Sequence, residues 1–186
     1  MRQVHQFDIA VIGSGASGLC AALRAQHLGA KVLVVEKAQI IGGTTAMSGG
    51  CIWVPNHHYQ KKLGVKDTPE DAMAYIRAVS PIGWHNAEEP LWQAFVDQSP
   101  KMLKFIEDTT PIIFNPNLEP DPYAEAEGGK NFGRNVSAGP IRAAVAGPWK
   151  NKIRRPAVEV ELSYEEVVDT FFYANPKRRA LAFAPR

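Results

Sequence analysis

A largely apolar run, Phe7 to Ile12, broken only by Asp8, feeds directly into Gly13-Ser14-Gly15-Ala16-Ser17-Gly18, and this junction constrains the chain more than any other feature in it. Three glycines at G-x-G-x-x-G spacing behind a strand and ahead of a helix have separate jobs. The first permits a tight turn, the second lets backbone approach a pyrophosphate, and the third lets helix and strand pack closely. Ala16, Leu19, Cys20 and Leu23 then fall at i, i+3, i+4 and i+7, one face of a helix that Gly29 can close. A second apolar run, Val32 to Val35, follows. Runs without alternation suit strands buried on both faces of a parallel sheet. The expectation is an α/β fold beginning with a Rossmann-like βαβ unit, its crossover right-handed.

The chemistry follows from the termini of these elements. Free N–H groups at the start of the helix, presented by Gly13 through Gly18 with Ser14, Ala16 and Ser17 between the glycines, form an anion site at the positive end of the helix dipole. Glu36 ends the second strand eighteen residues after Gly18, where a carboxylate accepts both hydroxyls of an adenosine ribose and repels a 2′-phosphate; Lys37 follows it. The competing reading is a structural glycine turn with a solvated Glu36. Six residues past Glu36 comes Gly42-Gly43-Thr44-Thr45-Ala46-Met47-Ser48-Gly49-Gly50, rich in glycine and hydroxyls. Thr44, Thr45 and Ser48 can bond a phosphate or a polyol chain, and Gly42, Gly43, Gly49 and Gly50 let backbone approach it. A plain nicotinamide cofactor has no need of this second loop, whereas FAD has a ribityl linker and a second phosphate. Ordinary surface-turn chemistry is the alternative.

Composition changes near residue 55: eight of the fifteen glycines lie in residues 1–50, and all fourteen prolines lie at Pro55 or later. The organisation expected is a half-domain over 1–55 followed by a helical and loop-rich continuation over 56–186. Thr68-Pro69 with Glu70 and Asp71 predicts a helix to about Val79, Ser99-Pro100 repeats the device, and Ser163 with Glu166 makes a capping box for a helix to about Phe172. Pro111 to Arg134, with its prolines and Gly128-Gly129, reads as irregular chain. No later segment has the character of a third parallel strand. Two such strands alone leave both edges unpaired, so an incomplete domain is expected.

Several classes are disfavoured. A formal charge of +2 is too small to draw nucleic acid or a membrane surface, and no apolar run is long enough for insertion in a bilayer. Cys20 and Cys51 lack metal-ligand spacing and read as reduced thiols of a cytoplasmic protein. The adjacent His57 and His58 read as a solvated pair, Lys150 to Arg155 as a solvated basic face, and Trp84, Trp92, Phe95 and Phe105 as core.

Phe7-Asp8-Ile9-Ala10-Val11-Ile12, Val35-Glu36-Lys37 and Gly42-Gly43-Thr44-Thr45 running into Ser48-Gly49-Gly50 resemble the succinate dehydrogenase and fumarate reductase flavoprotein superfamily. Gly49-Gly50-Cys51-Ile52-Trp53-Val54-Pro55 is most similar to its 3-ketosteroid dehydrogenase branch, as are Tyr123, Gly128-Gly129 and Gly133-Arg134. Members with covalent flavin carry histidine where Gly43 stands here, which implies noncovalent FAD. The resemblance implies oxidation of a CH–CH pair beside a ketone on a small hydrophobic substrate such as a 3-ketosteroid. Hydride passes to flavin N5, and a tyrosine takes the neighbouring proton. Tyr123 is the one candidate for that side of the site, against its reading as an ordinary loop tyrosine. Two alternatives stand beside this: an enoate reductase like the fumarate reductases, and a noncatalytic truncated or split-gene product. The latter would need the missing carboxy-terminal part as a partner chain.

Overall fold

The computed structural model of the protein describes residues 4–156, 164 and 174–177. Strand β1 (Ile9–Ile12), helix α1 (Ala16–His27) and strand β2 (Val32–Val35) form the expected unit. The strands pair in parallel from Ile9↔Val32 to Ile12↔Val35. Leu28 ends α1, and Gly29 at φ +92° lets the Ala30 N–H reach the Ala25 carbonyl at 3.1 Å while its own N–H meets Gln26 at 2.9 Å. This is a Schellman closure that a residue with Cβ enters only under strain. Asp8 ties the start of β1 to β2 by accepting from the Lys31 N–H at 2.7 Å.

A 3-10 turn, Thr45–Met47, leads into strand β3 (Cys51–Trp53) and a short helix α2 (Gln60–Leu63). Helix α3 (Pro69–Val79) begins where capping chemistry predicts, with Pro69 in the first turn and the Thr68 hydroxyl accepting from the Asp71 N–H at 3.1 Å. Helix α4 (His85–Thr109) corrects the expectation of a new helix at Ser99-Pro100, because it runs through both Pro90 and Pro100. Each proline forfeits one intrahelical bond. The continuous buried stripe of Val96, Ser99 and Leu103 holds the helix together across that defect.

Strands β4 (Phe114–Pro116) and β5 (Asn135–Ala138) close an antiparallel sheet of order β3-β5-β4. This sheet is absent from the expectation for residues past 55, and Pro111 to Arg134 is accordingly not wholly irregular. The strands are three or four residues long, too short for alternation to register, and Pro116 is tolerated because β4 is an edge. The core here is Val54, Leu103, Phe114 and Val136, with a second cluster of Ala72, Met73 and Val96. His57 is buried with them, contrary to the solvated pair expected, and burial pushes its pKa down. Trp84 and Phe95 are exposed rather than core, Phe95 stacking on Trp53 at 5.9 Å. The expected helix from Ser163 lies, apart from Tyr164, outside the described residues.

The described residues fall into two compact units, one drawn from Met1–Gly50 with Arg142–Val160 and the other from Cys51–Ile141 with Glu161–Arg186. A 3-10 stretch, Ala143–Lys152, brings the chain back into the first unit, where Ile153 bridges Ile41 in parallel. Ile41 donates to Lys152 and accepts from Arg154, both at 2.8 Å.

Candidate functional site

The first unit gathers the carboxyl end of β1, the amino end of α1, the end of β2 and the glycine loop after it. Gly13 sits at φ +96° and donates its N–H to Val35 at 2.7 Å, locking the turn to the last residue of β2. A Cβ on Gly18 would lie 2.2 Å from the Gly13 carbonyl oxygen, so α1 can approach the turn only with glycine there. Gly15 is the N-cap in extended backbone, with no side-chain cap and no acidic residue in the first turn of α1. The helix therefore offers oriented N–H donors and an unneutralised positive end. Ala16 and Ser17 open this turn with exposed side chains, and the Thr45 hydroxyl accepts from the Ala16 N–H at 3.1 Å.

The second glycine loop meets the first. A Cβ on Gly43, which stands at φ +55°, would come 3.3 Å from the Gly15 Cα, and one on Gly42 would come 2.6 Å from the Ala46 side chain. Ser14 is 2 % exposed and joins three segments. Its N–H and hydroxyl both donate to Glu36 Oε2, at 3.0 and 2.6 Å, and its oxygen accepts from the Gly42 N–H at 2.9 Å. Glu36 Oε1 accepts from the Ala38 N–H at 3.0 Å. These bonds, that of the Ser14 hydroxyl first, pull the Glu36 pKa from 4.5 down to about 2. Lys37 follows with an exposed side chain. Thr44 opens the 3-10 turn.

Ser48 is occupied locally, donating to the Thr45 carbonyl at 2.8 Å and accepting from Gly50 at 3.2 Å, with Gly49 between them. Its hydroxyl shapes the loop rather than standing free for a ligand.

Sequence reasoning missed three participants: the Ala38 N–H, the Ile41–Ile153 bridge and Arg154. A Cβ on Gly42 would lie 3.9 Å from the Arg154 N, and the Arg154 guanidinium extends to the Met47 sulfur at 4.0 Å. The basic run Lys150 to Arg155 thus contributes to the glycine loop, a contact that no local spacing reveals across more than a hundred residues.

Tyr123 belongs to the second unit, where it is exposed and donates its backbone N–H to the Tyr75 hydroxyl at 3.3 Å. Its loop is held from several sides. A Cβ on Gly128 would strike the Asp71 carbonyl of α3 at 2.2 Å, and Lys130 pairs with Asp71 at 2.7 Å. Arg134, wholly buried, pairs with Asp67 at 2.6 Å and Asp121 at 2.9 Å beneath the rings of Trp53 and Tyr75. Cys51 lies on β3 with Asn117 Nδ2 at 3.5 Å, and burial, with Glu119 nearby, pushes its thiol pKa up, away from nucleophilic reactivity.

A helix N-terminus with no acidic residue in its first turn, two glycine loops in contact and a preset carboxylate fit the adenosine diphosphate portion of a dinucleotide. Residues 8–181 match the family described as FAD binding domain. The chain belongs to that family.

Among curated relatives of this FAD-binding chain, a 3-oxosteroid 1-dehydrogenase of Mycolicibacterium smegmatis is 37% identical over 94% of the chain and 30% of the relative. A urocanate reductase of Eggerthella lenta is 33% identical over 69% of the chain and 20% of the relative. Among solved structures, the 3-ketosteroid delta1-dehydrogenase of Sterolibacterium denitrificans, in complex with 1,4-androstadiene-3,17-dione, superposes with a TM-score of 0.79 at 32% identity. That match covers 87% of the chain and 29% of the solved structure. The FAD-binding chain therefore spans about 20–30% of the length of these relatives. The resemblance to the 3-ketosteroid dehydrogenase branch and the α/β flavoenzyme fold both hold. Among the described residues, no helix is long and apolar enough to cross a membrane.

Proposed function

We propose that this chain is the amino-terminal, cofactor-holding part of a cytoplasmic FAD-dependent oxidoreductase acting on a CH–CH pair beside a ketone, with a small hydrophobic substrate of the 3-ketosteroid class. The observation that carries the reading is the Ser14–Glu36–Gly42 cluster at the start of α1. Gly13, Gly15 and Gly18 with Ser14, Ala16 and Ser17 hold the pyrophosphate, and Glu36, beside Lys37, holds the adenosine ribose. Gly42, Gly43, Thr44, Thr45, Ser48, Gly49 and Gly50 shape the loop along the rest of the cofactor. Gly43 stands where a histidine would have to carry covalent flavin, and its φ of +55° with Gly15 close by strains any side chain there, which supports noncovalent binding.

When bound, FAD supplies a two-electron acceptor for hydride. Tyr123, exposed on a loop fastened to α3, is the group assigned to take the proton from the neighbouring carbon. Tyr123→Phe should leave flavin binding intact and lower turnover by about 10²–10⁴ in the reconstituted enzyme. Unchanged turnover would return Tyr123 to an ordinary loop residue. The deciding experiment for the cofactor is the visible spectrum of the purified chain after incubation with FAD and removal of excess: a retained flavin band supports the reading, and its absence from a soluble, folded chain removes it.

A second reading has its own observation. Ile9, Ile12, Leu33, Val34 and Val35, on strands of a kind that parallel sheets bury, are 36–89 % exposed. That exposure favours a chain that needs the remaining length of the flavoprotein to be catalytic. Steroid oxidation by the chain alone would dismiss this reading. Activity appearing only on addition of a polypeptide that carries the remaining length would establish it. The urocanate reductase likeness keeps reduction of an unsaturated acid as the competing direction, which substrate trials on the same preparation separate.

A further inference from the structure

The segment that returns to the first unit brings a charge that the glycine fingerprint does not contain. Arg142, Lys150, Lys152, Arg154 and Arg155 lie in a stretch with no acidic residue from Gly128 to Val158. Of these cations, Arg154 is the one fastened to the glycine loop. Its N–H donates to the Ile41 carbonyl at 2.8 Å beside the Ile41–Ile153 bridge, which sets its backbone against Gly42. Its guanidinium lies along the Thr45–Met47 turn, with Nη1 4.0 Å from the Met47 sulfur, and its Nε is sealed from solvent without a hydrogen-bond partner. A thioether is a weak acceptor and supplies no counter-charge. Among the described residues no ion pair includes Arg154. The nearest acidic residues in sequence to this loop are engaged elsewhere, Asp8 by the Lys31 N–H and Glu36 by Ser14 and the Ala38 N–H. A half-buried cation left in this state is costly unless an anion joins it. The same turn meets the anion-binding end of α1, since the Thr45 hydroxyl accepts from the Ala16 N–H at 3.1 Å and Gly43 approaches Gly15.

We propose that Arg154 is a phosphate ligand of the cofactor, so that the anionic middle of FAD is held from two sides, by the first N–H groups of α1 and by a guanidinium from the returning segment. The fingerprint alone neutralises a diphosphate only in part, because a helix amino terminus is worth about half a unit charge. A guanidinium adds a full charge and two parallel N–H donors matched to phosphate oxygens. This rests on the FAD reading above and deepens it, by making a segment far downstream of the βαβ unit part of the cofactor site.

The test uses the purified chain, its Arg154→Gln and Arg154→Lys variants and, as a charge-matched control, Lys66→Gln at an exposed position of the second unit. FAD affinity is read by flavin absorbance, and ADP and adenosine are titrated against it as competitors with and without the diphosphate. Arg154→Gln should weaken FAD and ADP by about tenfold or more, the loss of a charged hydrogen bond, and leave adenosine within about twofold. Arg154→Lys, which keeps the charge and loses the planar fork, should recover part of that loss, and Lys66→Gln should change none of the three affinities. Added salt should weaken ADP more steeply in the native chain than in Arg154→Gln. Equal losses for adenosine and ADP overturn the proposal, because Arg154 then only shapes the loop, and so does an unchanged ADP affinity in a folded Arg154→Gln. If that variant fails to fold, the native chain decides: ADP but not adenosine should shield Arg154 from phenylglyoxal, read by mass spectrometry, and equal labelling in the two overturns the assignment. Absence of both FAD and ADP binding by the native chain overturns the cofactor reading itself.

Discussion

In the first unit the apolar side chains of β1 and β2 face solvent, Ile12 at 89 % exposure, whereas in the second a guanidinium, Arg134, is sealed from solvent at 0 %. The inversion separates two ways of holding a site. The first unit keeps its geometry with glycine turns, a Schellman closure and hydrogen bonds converging on Ser14 and Glu36, and little of its sheet is covered. The second keeps the Tyr123 loop in place with a filled core and a charged residue paired twice. Burying a charge is costly, and it is tolerated here because Asp67 and Asp121 both meet it. The hydrogen bonds of Arg134 hold the Asp67 pKa below its ordinary value against the opposing effect of burial.

The sharpest way to break this comparison is Arg134→Met, which strands two buried carboxylates. Stability of the second unit should fall by about 3–5 kcal/mol, lowering Tm by roughly 6–20 °C in thermal melts. A fall of less than about 1 kcal/mol would mean that the charge is reached by water after all.

Next in size, Glu36→Arg removes the proposed ribose acceptor and should weaken FAD binding by about 1.5–3 kcal/mol, read by flavin titration. Unchanged affinity removes Glu36 from the site. Its titration sharpens the point. With the folded pKa held at about 2 against the ordinary 4.5, the stability contributed by the Glu36 bonds is fully present above pH 4.5 and is lost as pH falls through about 2. The difference in Tm between the native chain and Glu36→Gln should therefore shrink across that window and stay level above it.

A smaller effect is expected at Thr68→Ala, which deletes the cap on α3 and should cost about 1 kcal/mol in urea unfolding of the second unit. The smallest is Ile12→Thr. If β1 is as uncovered as it stands here, the change costs no more than about 0.5 kcal/mol in the isolated chain. A loss of 1 kcal/mol or more would show that something covers the strand. The same variant, examined in the presence of the remaining flavoprotein length, should cost more if that length covers the sheet.

Much of the first unit was legible because its signals are local. Glycine spacing, the apolar runs Ile9–Ile12 and Val32–Val35, the closing Gly29 and the terminal Glu36 all act within about thirty residues, and Thr68-Pro69 marks a helix start by the same short-range chemistry. Pro100 misled because a helix-breaking residue was outweighed by a buried stripe that only the folded partner elements supply. The antiparallel sheet escaped notice because three-residue strands carry no period, and its pairing joins Cys51 to Ser137.

By itself, then, the amino-acid sequence determined the βαβ turn and the glycine-built start of its helix, since backbone conformation at glycine and the position of one carboxylate depend on neighbours in the chain. Tertiary structure alone decided that Glu36 accepts from Ser14 and that Ser14 also meets Gly42, that Arg134 is buried between Asp67 and Asp121, and that Arg154 returns to the Gly42 loop. Each of these is a matter of which distant groups compete for the same lone pair or the same dry space, and chain order does not encode that competition locally.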